Sequence, residues 1–496
     1  MPLAGSGSAT AILRLRIRIH GYTTAANSSS FLFLVFDNYL VYDVLIIPRL
    51  PVAHLLSQHL SSTKNELLAT NFIGKCAGGN AGQVQCDEVH VVCTHDRLGL
   101  GRAESNLRAH NRPAAAAVTP GASAKLQALT IYPVKSCRGI ELTRSRVLPT
   151  GLEFDRLYTF AQLKSPFPVS STANAAEKED GHVWEFITQR QFARLANVKV
   201  DLYVPRDEDG SRADKDTGSW IVMRFPWRAL GIRGVLQTIA AKLVRGWYAE
   251  AEREFLLPVE FPTKAEIEQR GYEFEKVKIW KDVVTALNVG VDVPEELRSY
   301  LGVSNKLGLF RIDPLALRQV FRCAPRKEEI GYQPTVGFQD AYPLHLMNLG
   351  SLQDFDSQVP KDGDLKHLDV RRFRSNLIVT GAPAYDEESW KSIRFTPGTS
   401  TLTSDASFQV SCRTVRCKLP NVDPATGIRH RVEPDRSLRK IRDVDPGAPK
   451  MGCLGVQMCP LFEDAEACET EDLRSWLEVG MTIDVQSRGE HVYIKQ

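Results

Sequence analysis

The chain has 496 residues, 24% of them charged, with 62 basic against 59 acidic side chains and ten cysteines. That length allows two or three domains with sizeable cores. Balanced, dispersed charge argues against a nucleic-acid partner, and ten thiols in so long a chain exclude a disulfide scaffold and read as reduced, mostly buried cysteines.

Residues 1–122 differ in composition from the rest. Met1–Ser30 lacks acidic residues and carries Arg14, Arg16 and Arg18 among small and hydroxyl side chains, the composition of a mitochondrial presequence. An unstructured N-terminus suits it equally. Phe31–Leu50 is apolar but interrupted by Asp37, Asn38 and Asp43, which argues against a clean transmembrane helix, since each acid at a bilayer centre costs roughly 2.5–3.5 kcal/mol. Cys86, His90, Cys93 and His95 have spacing unlike known zinc fingers. Residues 100–124, rich in Ala, Gly, Asn and Pro, read as a linker.

Order is expected from Lys125. Leu126–Ile131, Ile140–Leu142 and Arg146–Leu148 read as strands, and Val198–Leu202 alternates as a half-buried strand should. Short strands at close spacing predict a barrel or sandwich. Residues 206–270 read as an insertion. Within it Ile232, Val235, Leu236, Ile239, Leu243, Val244 and Trp247 fall at helical spacing, with Arg228, Arg233, Lys242 and Arg245 mostly off the stripe. Such a helix either packs on its own domain, the expectation here, or lies on a membrane surface. Asp292-Val293-Pro294 and Gly302 bracket a further helix. A second domain starts near Gly331, with strands over Arg371–Thr380 and Met481–Val485.

Four segments carry candidate chemistry. In Tyr132–Gly139, Lys135, Ser136 and Arg138 emerge in a turn that could hold a phosphate, although an ordinary solvated turn is the plainer reading of the pattern. Arg156 and Arg190 stand at strand ends, where their forks could grip phosphate or pair with acids. In Arg371–Val379, Arg372 and Arg374 flank an aromatic ring, and Asn376 could donate to an oxygen-rich ligand. Cys417 follows Arg416, which favours the thiolate, the form that attacks electrophiles or binds soft metals. A single such thiolate, with no Cys pair, suggests metal chemistry with one protein ligand. The chain has no Gly-x-Gly-x-x-Gly after a strand, no Walker loop and no His-Glu-x-x-His, so common nucleotide and zinc-protease readings fall away.

Together, Tyr132–Gly139, Phe373–Val379 with Trp390 downstream, and Arg416–Gly427 resemble the MOSC family with its N-terminal barrel domain. The similarity is to mitochondrial amidoxime-reducing components and to the C-terminal part of molybdenum cofactor sulfurases, over roughly residues 125–490. It implies a mainly β fold with α (α+β). A MOSC N-terminal β-barrel domain would occupy 123–305, with the insertion near 206–270. A connecting segment at 306–335 would lead to a MOSC β-barrel domain with flanking helices over 336–494.

The resemblance also implies a molybdenum cofactor in its molybdopterin form. Cys417 would bind molybdenum, with Asp423 and the Asn421–Gly427 loop at the mouth of the site. Lys135, Ser136 and Arg156 would hold the phosphate or pterin, and Arg190, Asp340, Arg374 and Asn376 would line the same cleft, joined by Arg138 and Arg416. Here Ala341-Tyr342 replace the small hydroxyl residues of the reductases, and Ser375 replaces the proline of their Phe-Arg-Pro-Asn motif. The implied activity is reduction of N-hydroxylated or other N-oxygenated small molecules, with electrons from a b-type cytochrome and an NADH-dependent flavin reductase. The implied location is mitochondrial, associated with the outer membrane, or otherwise cytoplasmic. The alternatives are a cofactor-binding or sulfur-carrier protein with a persulfide on Cys417, and a barrel that only binds. Pyridoxal phosphate, used by sulfurases through a separate domain, is not expected, because no aminotransferase-like segment precedes residue 125.

Overall fold

The computed structural model describes residues 95–110, 123–165, 182–205, 218–398, 404–463 and 465–494, with the backbone of three strands nearer the N-terminus. Those strands, Ile17–Tyr22, Phe31–Phe36 and Leu45–Pro48, pair antiparallel in that order and belong to a compact unit of their own. The presequence expectation and most of the Cys86–His95 cluster fall on residues outside those described.

In the larger unit, five strands close into a barrel: Tyr158–Lys164, Val183–Phe186, Glu273–Ile279, Asp282–Asn288 and Leu307–Ile312. A period of two puts alternate side chains on one face. Trp184 and Phe186, Val277 and Ile279, Val284 and Ala286, and Phe310 and Ile312 duly form one buried cluster with Ala161 and Phe338. Gly308 leaves room for the Trp184 ring, since a Cβ there would come within 2.9 Å of it.

Beside this barrel, Lys199–Pro205, Trp220–Pro226 and Glu252–Pro258 pair antiparallel and bury Leu202, Ile221, Met223, Phe225 and Leu257. Two strands of the segment read as an insertion are thus part of the core. The first of the three strands does not alternate as expected. Asp201 is buried along with Val200, Leu202 and Tyr203, because Arg97, at 2.7 Å, and Arg224 neutralise its carboxylate. The helix Ile232–Arg245 forms where the spacing predicts it, but its apolar stripe does not pack on the domain: Ile232, Val235, Leu236, Ile239 and Leu243 are exposed. The helix Glu295–Leu301 begins after Pro294 and stops at Gly302, whose φ of +75° suits a glycine cap.

The second sheet runs in the order Leu377–Thr380, Leu344–Asn348, Cys453–Leu461, Ala406–Val415, Trp390–Thr396, Thr482–Arg488, Lys125–Ile131 and Ile140–Leu142. An additional pairing of Leu377–Thr380 with Lys125–Ile131 closes it on itself. The first strand of the sequence pattern therefore completes the barrel of the second half. Leu129, Leu346, Leu377, Ile393, Phe408 and Val456 lie in the core cluster on one side. The helix Leu349–Gln358 covers the other with Leu349, Leu352 and Phe355.

Two local expectations change. Arg371–Thr380 is not one strand. The Asp369 carboxylate accepts the Arg371 N–H at 2.9 Å and caps a single turn, Val370–Phe373, and Arg374 then turns left-handed at φ +54°. Residues 101–110 are no linker: Ser105 Oγ and the Asn106 N–H donate to the Glu141 carboxylate, and Leu107 is buried.

Candidate cofactor site

Loops from the five-stranded barrel face the end of the larger sheet across a cavity of about 670 Å³. Its basic corner is set by Tyr132–Gly139. The chain bends at Pro133, Val134 bridges to Tyr158, and Ser136 adopts φ +67°. Gln189 Nε2 donates to the Ser136 carbonyl at 2.6 Å and fixes the bend. Lys135 is thereby buried, donating to the Phe338 carbonyl and to Asp340, both at 2.6 Å. Burial lowers its pKa to about 8, against the opposing pull of Asp340. Desolvation would raise the Asp340 carboxyl, although its side chain is 62% exposed, but Lys135 and the Trp280 indole N–H overcome it and hold the group below the usual carboxylate range.

Next to this corner the Arg156 and Arg374 guanidinium groups lie 4.6 and 4.1 Å from the Tyr132 ring. Asp155 anchors the group by pairing with Arg156 and accepting the Tyr132 N–H at 2.8 Å. Arg374 donates one arm to the Cys137 carbonyl at 2.7 Å, and burial, aided by the charge of Arg156, lowers its pKa to about 10. Arg190 stacks over Trp280 at 4.0 Å.

Opposite stands the end of the Ala406–Val415 strand. Arg416 continues it through an N–H bond to the Gly452 carbonyl at 2.8 Å, and the turn Leu419–Asn421 ends the run. Buried Arg416 donates to the Phe373 carbonyl at 2.9 Å and contacts His345 Nε2 at 3.4 Å. Burial and this arginine push the His345 pKa well down, so the ring is neutral. Cys417, half-buried and unbonded to another cysteine, lines the cavity. Cys137, Cys453 and Cys459 are buried core thiols, pushed up to about 12 by that burial.

The cavity gathers Lys135, Ser136, Arg156, Arg190, Asp340, Arg374, Asn376, Arg416 and Cys417. Arg138 and Asp423 are not among its lining residues. Asp423 instead pairs with Arg372 at 2.6 Å and accepts the Ala425 and Thr426 N–H groups, which closes its own loop. Asn376 is held between the His345 N–H and the Thr130 carbonyl, so its amide shapes the wall more than it offers a ligand donor. Trp280, His345 and Thr414, which also line the cavity, were not singled out from sequence. Trp280 had a signal: it sits in the two-residue turn of the hairpin Glu273–Ile279/Asp282–Asn288 at φ +57°, where Asn or Gly is usual.

Among the buried polar atoms of lining residues that lack a hydrogen-bond partner are Arg374 Nη2, Thr414 Oγ1 and Arg416 Nε. An unsatisfied buried polar group costs about 1–3 kcal/mol. These atoms, with Lys135, Arg156 and Arg190 in the same wall, fit a large, oxygen-rich anion. Among the described residues no three His, Cys, Asp or Glu side chains converge on a metal position.

Sequence comparison defines the class first. Residues 123–222 match the MOSC N-terminal beta barrel domain and residues 333–466 the MOSC domain. Among individual proteins, it is 23% identical over 335 residues to mitochondrial amidoxime reducing component 2 of Rattus norvegicus, covering 67% of this chain and 75% of that one. It is 28% identical to the human mitochondrial amidoxime-reducing component 1, covering 65% of this chain and 73% of that one. A molybdenum cofactor sulfurase of Oryza sativa subsp. japonica is 28% identical over 157 residues, 30% of this chain and 17% of the sulfurase.

Proposed function

We propose that the chain binds a molybdenum cofactor in this cavity, with Cys417 as thiolate ligand, and serves as a reductase of N-oxygenated small molecules. The observation that carries the reading is the meeting of an accessible thiol with the orphaned Arg374 and Arg416 donors in one basic cavity. Names of the relatives support it: amidoxime-reducing components and a molybdenum cofactor sulfurase.

When bound, the cofactor supplies the two-electron chemistry; removal of the N-bound oxygen consumes two electrons and two protons and releases water. The protein's part is placement. Lys135, Arg156, Arg190 and Arg374 offset the anionic carrier, and Ser136 adds a hydroxyl. Arg416, locked to Phe373 and His345, stiffens the backbone that presents Cys417. Asp340 stays ionised against Lys135 and Trp280 and keeps both in position. Asp423 acts at one remove, by shaping the loop that follows the thiol.

Electrons come from partner proteins, for which a b-type cytochrome and an NADH-dependent flavin reductase are the donors the resemblance implies. A mitochondrial location rests on the relatives' names and on the acid-free, arginine-bearing Met1–Ser30. The test is Cys417→Ala in chain expressed in a host that makes the cofactor. The variant should keep its fold and lose N-reduction in a reconstituted electron-transfer assay. Full activity would refute the assignment. A labile persulfide on wild-type Cys417 without stoichiometric molybdenum would favour the sulfur-carrier reading.

A further inference from the structure

The helix Ile232–Arg245 is mounted with its small residues inward. At about 100° per residue, Gly234, Thr238 and Ala241 share one face, Gly234 and Ala241 being buried and Thr238 half-buried. The opposite face presents Ile232, Val235, Leu236, Ile239 and Leu243 to solvent. Beyond the helix the chain adds Trp247 and Tyr248, 76% and 97% exposed, and before it Leu230, 96% exposed. An apolar stripe of that length on a globular domain marks an interaction surface.

Charge identifies the partner. The helix contains no acidic residue, while Arg233 and Lys242 border the stripe on either side. Arg245 is engaged by Glu252 and the Glu250 carbonyl. Arg228 and Lys242 line a groove of about 670 Å³ with Trp227, Trp247 and Tyr248, Glu250 being its single carboxylate, and the Lys242 ammonium lies 4.8 Å from the Trp247 ring. A second copy docked on this face would bring cationic rims together. A bilayer with anionic headgroups satisfies both features at once: acyl chains take the stripe, phosphates take the cations, and Trp and Tyr sit at the boundary.

We infer that this face docks the domain peripherally on an anionic lipid surface. Ile232, Leu236, Ile239, Leu243 and Trp247 enter the interface, and Arg228, Arg233 and Lys242 meet the headgroups. The docking is peripheral, and among the described residues no helix is long and apolar enough to cross a membrane. The inference stands apart from the cofactor assignment.

The experiment is co-sedimentation of the full chain with phosphatidylcholine vesicles, with and without phosphatidylserine. Wild type should bind the phosphatidylserine vesicles at least about tenfold more tightly than the neutral ones. Leu236→Asp combined with Ile239→Asp should lose that binding with the unfolding temperature unchanged, because both side chains are about half exposed. Arg233→Glu combined with Lys242→Glu should lose the preference for phosphatidylserine and keep the fold. Vesicle binding unaffected by either pair would overturn the proposal, as would wild type staying in the supernatant with both vesicles. A dimer that the aspartate pair dissociates, without any change in vesicle binding, would overturn it too.

Discussion

The five-stranded barrel and the larger sheet are filled differently. In the barrel, Trp184, Val277, Phe310 and Phe338 meet at alternate strand positions. Around the larger sheet, Arg372, Glu387, Glu388, Arg416 and Arg442 are buried beside its apolar cluster. Apolar burial stabilises a fold directly, at about 25 cal/mol per Å². Buried charge does not, because desolvation offsets what pairing returns. The barrel, with Arg311 as its buried charge, is thus filled mainly for rigidity, whereas the larger sheet carries several buried charges, of which Arg416 lines the cavity where an anionic ligand would offset its cost.

Mutations can break that contrast. Phe310→Ala should cost the most stability, about 3–5 kcal/mol in denaturant unfolding, and cofactor retention per folded molecule should hardly change. A loss under about 1 kcal/mol would mean that the barrel core relaxes around the void.

Glu387 sharpens the contrast by pH. It is fully buried against Ser351 and Asn348, and burial raises its pKa from 4.5 to about 7. Between those values the folded chain holds a proton that the unfolded chain releases. Stability should therefore be full below pH 4.5 and fall by up to about 3 kcal/mol as pH rises through 7. Unfolding of Glu387→Gln followed across that range should show the slope flattened; an unchanged slope would remove Glu387 as its source.

Arg416→Met tests the other side. Melting temperature should hold or rise, since a buried charge gives way to an apolar chain, while molybdenum retained after dialysis should drop about tenfold, or about 1.4 kcal/mol. A variant that retains metal but unfolds early would reverse the reading. Asp423→Asn should have the smallest effect. It weakens the Arg372 pair beside a half-exposed loop, and KM should move more than kcat, because the residue lies outside the cavity.

Much of this was legible in the sequence, for local reasons. Tyr132–Gly139 and Arg416–Cys417 are set by short-range turns, and Pro294 with Gly302 brackets a helix by capping rules that need no tertiary context. What was hidden depends on partners distant in the chain. Arg138 and Lys135 are three residues apart in one turn, yet only Lys135 reaches the cavity. Asp423 looked like a rim residue until Arg372, 51 positions away, claimed it. Periodicity located the apolar stripe of Ile232–Arg245 but not the direction it faces. Gly234, Thr238 and Ala241 on the opposite side were the available clue, since only small residues allow a helix to sit so close.

The central claim is a bond between the Cys417 sulfur and molybdenum. X-ray absorption at the molybdenum edge, on holoprotein and on Cys417→Ser loaded in the same host, tests it most directly. The account predicts one fewer sulfur neighbour around the metal in the serine variant. Identical sulfur shells in the two proteins, at equal metal content, would contradict it.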